Sequence, residues 1–349
     1  MRSRVHFSST EQEFALALEE SAGSISGKIF VLADTNTGRF CRPLFERSWK
    51  GKEPLFIEVP GGEEHKSPAT CEMIWRRLLQ EQADRSSLLV NLGGGMVTDL
   101  GGFAASLFKR GIRFMHVPTS FLGMIDAAIG GKVAVNFGNI KNSLGLFSTP
   151  EQIIICPLFL DTLPGEEWLN GSAELVKYAL IADREMWAEI RPETGDYAGM
   201  TRYINRCVEI KEKVVKQDPY EQQIRKILNF GHTFGHAFES LARMKDLQHG
   251  RAVAAGMICE SFLSHRIAGL QAKEMKEISE YLARRFPPVD LEDADRDPVI
   301  EAMMQDKKNR DGKIGFSLLT STGTCVPDQY AGRDQIVESL NYYRQISGK

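Results

Sequence analysis

The first 156 residues alternate short apolar runs with helical segments, and this alternation constrains the fold more than any other feature. The apolar runs end in turns and lie at 28–33, 55–59, 87–92, 112–117 and 152–156. One helical segment starts after Ser67 and has apolar residues at Met73, Ile74, Leu78 and Leu79, and another covers 96–109. Strands that alternate with helices form βαβ units and a mostly parallel sheet. We therefore predict an α/β N-terminal domain with a Rossmann-like parallel sheet at 1–156.

The pattern changes after Pro157, where helical segments follow one another. They are predicted at 166–189, 200–215, 222–243, 251–268, 273–286 and 298–308. The late strand signals, at 313–320 and 324–326, predict one hairpin around Ser321-Thr322-Gly323. A chain of 349 residues exceeds the size at which a single core keeps growing. We therefore predict a second, mainly α-helical domain at 157–349.

Composition excludes several classes of protein. A net charge of -3 argues against a general nucleic-acid binder, which carries a basic excess. The six cysteines are scattered without a C-x-x-C pair, as in chains whose thiols stay reduced in the cytosol. No apolar signal segment and no apolar run of about 18 residues occurs, so we expect a cytoplasmic protein without a membrane partner.

A glycine-rich turn follows the third apolar run, where Gly93, Gly94 and Gly95 separate a predicted strand from a predicted helix. Glycines let a phosphate approach the backbone, and a helix N-terminus offers free N–H groups. The spacing fits neither G-x-G-x-x-G, whose third glycine would fall on Thr98, nor a P-loop. Both a phosphate site and an ordinary βα connection remain open from this turn alone.

A second segment, 118–146, combines five glycines with Asp126, Lys132, Lys141 and Asn142. Two lysines in a Gly/Asn-rich loop suit the binding of a phosphate or carboxylate. The segment also contains Ile125 and other apolar residues, which a freely solvated loop would lack. We interpret it as an anion-binding loop.

Three histidines and a glutamate form a candidate metal set. His232 and His236 are four residues apart and share one helix face, His249 lies further on, and Glu174 lies upstream with Lys177. A carboxylate and two imidazoles can hold zinc with one position open for substrate oxygens. The ion would polarise those oxygens. Packed helical histidines show the same spacing, so the spacing alone does not decide for a metal.

Read together, these stretches resemble the 3-dehydroquinate synthase family of sugar phosphate cyclases. The matching segments are GGEEHK (61–66), GGGMVTDLGGF (93–103), RGIRFMHVPTS (110–120), IDAAIGGK (125–132), KNSLGLF (141–147), DTLP (161–164), AELVKY (173–178), KEKVVKQDPYE (211–221), RKILNFGHTFGHAFE (225–239), HGRAVAAGM (249–257) and DKK (306–308). Their order and spacing hold from about residue 30 to 325.

The resemblance implies an enzyme that converts 3-deoxy-arabino-heptulosonate 7-phosphate into 3-dehydroquinate and phosphate, the second step of the shikimate pathway. In that family NAD transiently oxidises a substrate hydroxyl, phosphate leaves, the ketone is reduced again, and an intramolecular aldol reaction closes the ring. NAD is regenerated in each turnover. The resemblance also implies one zinc or cobalt ion and a homodimer.

The family's functional residues transfer to matching positions of this chain. The metal ligands would be Glu174, His232 and His249. NAD would be bound by Asp34, Asn36, Gly61, Gly62, Glu63, Glu64, His65, Lys66, Gly94, Gly95, Met96, Val97, Thr98, Asp99, Thr119, Ser120, Lys132, Lys141, Phe159, Leu160, Asp161, Thr162 and Leu163. The substrate and its chemistry would involve Arg110, Asp126, Lys132, Lys141, Asn142, Lys177, Lys211, Arg225, Asn229 and His236, with Lys307 or Lys308 and with Glu221 ordering the cations.

Two departures from the family pattern bear on substrate preference. Val133-Ala134 replaces the usual Thr-Gly, and Arg251 replaces a glutamate and adds positive charge beside His249. Two alternative functions stay open. One is another sugar phosphate cyclase, such as 2-deoxy-scyllo-inosose synthase, and the other is a metal-dependent polyol or glycerol-phosphate dehydrogenase, which would release NADH. A relative that only binds ligand is disfavoured by the intact metal set.

Overall fold

The computed structural model describes residues 3–138, 140–192, 198–241, 244, 246–304 and 313–348. The chain divides into two compact units, Met1–Trp168 and Leu169–Lys349. The domain boundary that we predict after residue 156 stays a prediction. Within the described ranges, no helix combines the length and the apolar character that crossing a bilayer requires.

The first unit is built on a parallel sheet. Its strands are β1 (Arg4–Phe7), β2 (Ile29–Asp34), β3 (Leu55–Val59), β4 (Leu88–Gly93), β5 (Arg113–Pro118), β6 (Lys132–Phe137), β7 (Ile140–Phe147) and β8 (Gln152–Ile155). Six of them form one sheet in the order β1-β8-β5-β4-β2-β3, and all its neighbouring strands are parallel. The predicted fold class, a Rossmann-like α/β unit followed by a mainly helical one, is confirmed. Strand β1 was not predicted.

Helices cover this sheet. They are α1 (Glu11–Ala22), α2 (Thr35–Phe40), α3 (Arg42–Ser48), α4 (Pro68–Gln80) and α5 (Gly95–Leu107). Helix α4 begins where the Ser67 side chain accepts from the backbone N–H of Thr70 and proline occupies the first helical position. It buries Cys71, Ile74 and Leu78.

The predicted apolar face of α4 is half wrong. Met73 is 50% exposed and Leu79 is 59% exposed, whereas Ile74 and Leu78 are fully buried. The buried face of α4 runs through Cys71, Ile74 and Leu78 at helical spacing. Met73 and Leu79 lie outside this face. Isolated exposed apolar residues are common on protein surfaces and do not disturb the core.

The predicted anion-binding loop at 118–146 is more ordered than a loop. It contains a π-helical turn, Gly123–Ala127, and an antiparallel hairpin of β6 and β7. Alternation on β6 explains the apolar content, because Val133 and Val135 point into the core while Lys132 is exposed. The sequence analysis interpreted this segment as a loop because glycines flank the alternating residues.

The second unit is mainly helical, as predicted. Its helices are α6 (Gly165–Ala182), α7 (Arg184–Ile190), α8 (Ile204–Gln217), α9 (His232–Glu239), α10 (His249–Leu263), α11 (Ala272–Arg285), α12 (Arg296–Met304) and α13 (Arg333–Ile346), and its hairpin is β9 (Ile314–Ser321) with β10 (Thr324–Ala331). The hairpin was predicted, and α13 was not. Helix α10 is buried on nearly all sides and forms the centre of this unit.

Two predicted helices are interrupted. The segment 166–189 breaks at Asp183, whose side chain accepts from the backbone N–H of Met186 and starts α7. The segment 222–243 forms a 3-10 turn, Ile224–Asn229, and starts again at His232. Gly231 lies between them with a φ of 84°, a left-handed conformation that an α-helix cannot contain. Of the helix predicted at 298–308, residues 305–308 lie outside the described residues.

Candidate active site

The first unit offers a binding crevice where its strand order reverses. From β2 the chain continues to β3 on one side, whereas β4 lies on the other side of β2 and continues to β5. Open α/β sheets bind ligands at the carboxyl ends of the strands at such a switch point. Strand β2 ends at Asp34 and β4 ends at Gly93, so two of the predicted NAD-binding segments flank this crevice.

Asp34 organises the turn after β2. One of its carboxylate oxygens accepts from the backbone N–H groups of Asn36 and Thr37, each at 2.8 Å, and this caps α2. The backbone N–H of Gly61 donates to Thr35 Oγ1 at 3.3 Å, and a Cβ on Gly61 would approach Asn36 Nδ2 at 3.2 Å. Asp34, Asn36 and Gly61 thus come together as predicted.

The glycine-rich turn packs closely against the segment that follows β5. A Cβ on Gly94 would come within 3.1 Å of Ser120 Oγ, and a Cβ on Gly95 within 3.0 Å of Ala127 Cβ. Helix α5 begins here without a side-chain cap. Its first backbone N–H groups are therefore donors that a phosphate can accept from.

Lys66 connects three segments of this unit. Its side chain is almost fully buried, and Nζ donates to Asp99 Oδ2 and to Asn142 Oδ1, each at 2.6 Å. Burial lowers the pKa of Lys66, but the carboxylates of Asp99 and Glu63 outweigh burial, and the net shift is upward. Asn136, which the sequence analysis did not select, accepts from the backbone N–H of Asn142 at 2.8 Å. The structure brings these predicted site residues together around one buried ammonium group.

Several predicted NAD residues place their side chains in the core. Val97, Thr98, Phe159 and Leu160 are all buried, and the Phe159 ring packs edge to face on Phe14 with centroids 5.3 Å apart. Such residues can meet a ligand through their backbone only. Eight further predicted NAD residues are not buried: Gly62, Glu64, His65, Met96, Ser120, Asp161, Thr162 and Leu163.

Arg110 lies apart from the other predicted site residues of this unit. It follows α5 and precedes β5, so it lies at the amino ends of the strands, whereas Gly93 lies at the carboxyl end of β4. Thirteen helical residues separate the two ends, about 20 Å at 1.5 Å per residue. Arg110 is exposed and has a φ of 68°. Lys132 and Lys141 are also exposed, on β6 and β7, and Asp126 is half-buried in the π-helical turn.

Cys41 is a residue of this region that the sequence analysis missed. Its buried thiol lies beside Asp34, and the hydroxyls of Thr119 and Thr162 hydrogen-bond to it. Burial, more than any neighbour, raises the pKa of Cys41 to about 11. The thiol therefore stays protonated and links three predicted NAD-binding segments. A scattered cysteine gives no sequence signal for such a position.

The second unit brings the predicted metal ligands together. Glu174 lies in α6, and His232 and His249 are the first residues of α9 and α10. Glu174 Oε1 is 3.4 Å from His232 Nε2 and 3.6 Å from His249 Nε2. One ligand atom from each residue lies within 4.8 Å of the other two.

The environment of Glu174 fits a cation. The residue is fully buried, and neither carboxylate oxygen has a hydrogen bond of good geometry among the described residues. Burial raises the pKa of Glu174, but the charge of Lys177 and His232 lowers it further, so the net pKa lies well below its usual range. An ionised, fully buried carboxylate beside two imidazoles suits a divalent ion of the zinc type.

The pKa values of the two imidazoles shift in opposite directions. Burial lowers the pKa of His232, and although Glu174 opposes this, the net shift is downward. Burial also lowers the pKa of His249, but hydrogen bonding to Glu174 and Glu239 raises it to about 10. His249 Nδ1 is 3.6 Å from Glu239 Oε2. Glu239 therefore orients the ring so that Nε2 faces Glu174.

His236 lies beside this set without joining it. Its ring centroid is 5.4 Å from that of His232 and 6.1 Å from that of His249. It can form a second donor group with Glu239 and His249, but it is exposed, whereas Glu174 is fully buried. The exposed position agrees better with a group that meets a substrate.

Three predicted substrate-binding cations of this unit are buried. Lys177, Lys211 and Arg225 are 1%, 6% and 1% exposed, and Lys177 forms an ion pair with Glu174. Lysine and arginine are almost never fully buried unless they are paired. Asn229 donates to Glu221 Oε1 at 2.8 Å, so Glu221 orders an amide of the predicted site.

Asp218 was missed by the sequence analysis and holds the segment before Arg225. Its carboxylate accepts from the backbone N–H groups of Gln222, Gln223 and Arg225 at 2.7–3.0 Å. Burial raises the pKa of Asp218, but these N–H groups and the Arg225 charge lower it overall. Arg225 Nη1 donates to the carbonyl of Pro219 at 2.6 Å. The sequence signal was the Asp-Pro turn at the end of α8.

Sequence comparison decides the relationship of this chain to known proteins. The N-terminal model of 3-dehydroquinate synthase matches residues 56–170, and the C-terminal model of the same family matches residues 171–309. The chain belongs to the 3-dehydroquinate synthase family. A 3-dehydroquinate synthase from Parabacteroides distasonis is 41% identical over 326 residues, which cover 92% of each chain.

Solved structures of sugar phosphate cyclases share the fold of this family member. A 2-epi-5-epi-valiolone synthase from Streptomyces hygroscopicus, solved with NAD+ and Zn2+, superposes with a TM-score of 0.86 at 26% identity, over 99% of this chain and 97% of that one. A 2-deoxy-scyllo-inosose synthase complexed with carbaglucose-6-phosphate, NAD+ and Co2+ superposes with a TM-score of 0.81 at 24% identity, over 96% of this chain and 95% of that one.

Arg251, a departure from the 3-dehydroquinate synthase pattern, makes main-chain contacts. Its guanidinium donates to the carbonyls of Pro287 and Pro288, at 3.4 and 3.0 Å. The Arg251 side chain, which adds positive charge beside His249, therefore connects Pro287 and Pro288 to the start of α10. Lys307 and Lys308, which the family pattern offers as substrate contacts, lie outside the described residues.

Proposed function

We propose that this chain is an NAD- and metal-dependent carbon–oxygen lyase that converts 3-deoxy-arabino-heptulosonate 7-phosphate into 3-dehydroquinate and phosphate. The observation that carries the proposal is the convergence of Glu174, His232 and His249 in a member of the 3-dehydroquinate synthase family. The relative at 41% identity, which bears that enzyme's name over nearly the whole chain, supports the substrate.

The proposed roles in the first unit concern NAD. NAD would supply the acceptor and donor of a hydride at a hydroxyl-bearing carbon, and the metal ion would supply a Lewis acid for the hydroxyl oxygen. The N–H groups at the start of α5, with Gly94 and Gly95, would hold the pyrophosphate. Asp34 and Lys66, on either side of the switch point, would orient the rest of the dinucleotide.

The proposed roles in the second unit concern charge. Glu174, His232 and His249 would hold the ion, and the Lys177 ammonium beside Glu174 would lie close to the oxygen from which a proton is lost. The buried cations Lys211 and Arg225 would receive the anionic groups of the substrate, which carries a phosphate and a carboxylate. Lys132 and Asn142 of the first unit are also proposed as substrate-binding residues, as the family resemblance implies.

The assembly follows from the family alone, and the location from the scattered cysteines of the sequence. We infer a homodimer in the cytoplasm, and light scattering of the purified chain would test the first part. Arg110, which the family resemblance assigns to the substrate, is exposed and lies at the amino ends of the strands, and its role stays a prediction.

The deciding experiment follows two products at once. The purified chain is supplied with 3-deoxy-arabino-heptulosonate 7-phosphate, NAD and zinc or cobalt, and phosphate release is measured while NADH absorbance is recorded. Phosphate release that a chelator abolishes, without NADH accumulation, is the expected result. NADH accumulation would identify a dehydrogenase instead. Turnover of a hexose phosphate in place of the heptulosonate would identify another sugar phosphate cyclase.

A further inference from the structure

The start of α9 is capped by a side chain from another helix. Glu260, in α10, is fully buried. Its Oε2 accepts from the backbone N–H of Gly231 at 2.7 Å, and its Oε1 accepts from the backbone N–H of Thr233 at 3.1 Å. These N–H groups lie on either side of His232, the first residue of α9. A carboxylate at this end of a helix satisfies donors that the helix itself leaves free.

The same peptide group serves both Glu260 and His232. The carbonyl of Phe230 and the N–H of Gly231 belong to one peptide unit, and that carbonyl lies 3.2 Å from His232 Nδ1. A carbonyl can only accept, so Nδ1 carries the proton, and in the neutral ring Nε2, on the side of Glu174, keeps its lone pair for a cation. Metal-ligating histidines are oriented in this way by the partner of their second ring nitrogen. Glu260 fixes the position of that partner.

Close packing leaves Gly231, whose N–H donates to Glu260, little freedom to move elsewhere. A Cβ on Gly231 would lie 2.5 Å from Met257 Cγ, and a Cβ on Gly256 would lie 1.9 Å from the Gly231 carbonyl oxygen. The two helices are antiparallel, since Gly231 meets α10 near Met257 while Glu239 meets it at His249. Glu260 follows His249 by about three helical turns, so both point from the same face of α10.

We propose that Glu260 is a positioning residue of the metal centre, which sets the orientation and tautomer of His232 through the Phe230–Gly231 peptide. The inference rests on the metal site of the proposed function. An anionic acceptor on the peptide N–H strengthens the carbonyl as an acceptor for the imidazole. One face of α10 thus supplies one ligand, His249, and holds the other, His232.

Metal affinity tests this role separately from activity. The dissociation constant of Co2+ is measured by chelator competition for the native chain, for Glu260→Gln and for Ser339→Ala, together with the Co2+ absorption spectrum and the thermal midpoint. The glutamine is isosteric but places an amino group against one N–H donor. Ser339 is a matched control, because it is buried and donates to the carbonyl of Cys259, next to Glu260.

We expect Glu260→Gln to weaken Co2+ binding tenfold to a hundredfold and to alter the spectrum, with Ser339→Ala within about twofold of the native chain. A native constant and spectrum for Glu260→Gln, whatever its thermal midpoint, would reduce Glu260 to a structural role and overturn the inference. Equal weakening in Ser339→Ala would overturn it as well. If the native chain bound no Co2+, the proposed metal site itself would fall.

Discussion

The ammonium group of Lys66 donates to the carboxylate of Asp99 at 2.6 Å in surroundings that leave Lys66 only 4% exposed. The same ammonium holds Asn142 of the β6–β7 hairpin. One buried cation therefore ties the turn after β3, the start of α5 and the hairpin together. Because Lys66 is buried, removing one partner of the pair costs more than breaking an ion pair in water, since the remaining charge loses its compensation.

Replacing Lys66 should destabilise the first unit and weaken NAD binding. Lys66→Met removes the ammonium group that donates to Asp99 and Asn142, and breaking a buried pair costs about 3 kcal/mol or more of unfolding free energy. Urea unfolding and NAD titration would measure the two effects. Arg76→Ala is the control, since Arg76 and Glu72 lie 2.5 Å apart but are both exposed, and such pairs contribute about 0.5 kcal/mol. Equal losses in the two variants would contradict this account.

His249→Ala should remove the metal and the activity together, because it deletes one of the three proposed ligands. His236→Ala should retain the metal and lose activity, because His236 lies beside the ligand set on the exposed side. Metal content by atomic emission, measured with phosphate release, distinguishes the two. A metal-depleted His236→Ala variant would assign the ion to the second donor group, with Glu239 and His249.

Acid stability should depend on His116 in the centre of the sheet. Burial lowers the pKa of His116 to about 3, and Asn91 Nδ2 donates to its Nδ1 at 3.1 Å. The unfolded chain takes up a proton below about pH 6.5, whereas the folded chain does not. The stability from neutral His116 is therefore complete above pH 6.5 and is lost as the pH falls towards 3, by roughly 3–5 kcal/mol.

The slope of stability against pH measures this contribution. We expect His116→Gln to unfold with a clearly smaller change in free energy between pH 6.5 and pH 4 than the native chain. An overall loss of stability at every pH is expected for a buried substitution and does not bear on the slope. Parallel curves for the two proteins would show that His116 is protonated in the folded state.

Gly101→Ala should destabilise the packing of α5 on the sheet. A Cβ at Gly101 would lie 1.9 Å from Asn91 Oδ1 and 2.8 Å from Leu32 Cδ2, so the helix has to move or Asn91 has to release His116. Overpacking of this kind costs about 1–3 kcal/mol. Gly165→Ala is the control, because nothing lies within 4 Å of its Cβ position. Thermal unfolding that ranks the two alike would contradict the packing argument.

The sequence predicted the elements whose pattern is local. The five apolar runs ending at turns became strands, and the helices with clear periodicity lie where expected. The break at Gly231 could not be read from periodicity, because it depends on α10 lying against the turn and on a carboxylate far along the chain. The short strand β1 is held by pairing with β8, which is a long-range contact.

In the candidate site too, residues that belong to a recognisable motif were predicted, and residues that act through long-range contacts were not. Glu174, His232 and His249 come together as the family resemblance implied, and the helical spacing of His232 and His236 was correct. Glu260, Asp218 and Cys41 were missed because each of them acts by forming hydrogen bonds to another segment of the chain. Nothing in the residues around them marks a buried acceptor or thiol as a support for another segment. Such residues become visible when hydrogen bonds between distant segments are known.

Helix α10 is the buried centre of the second unit and also carries His249, one of the proposed metal ligands. A helix packed on nearly all sides cannot shift at one end alone. A substitution that displaces α10 therefore displaces His249 as well. Metal affinity therefore depends on how well the interior of this unit is packed, including where α10 contacts α11 and α13. Sequence drift in the core of this protein is therefore constrained by its chemistry as well as by its stability.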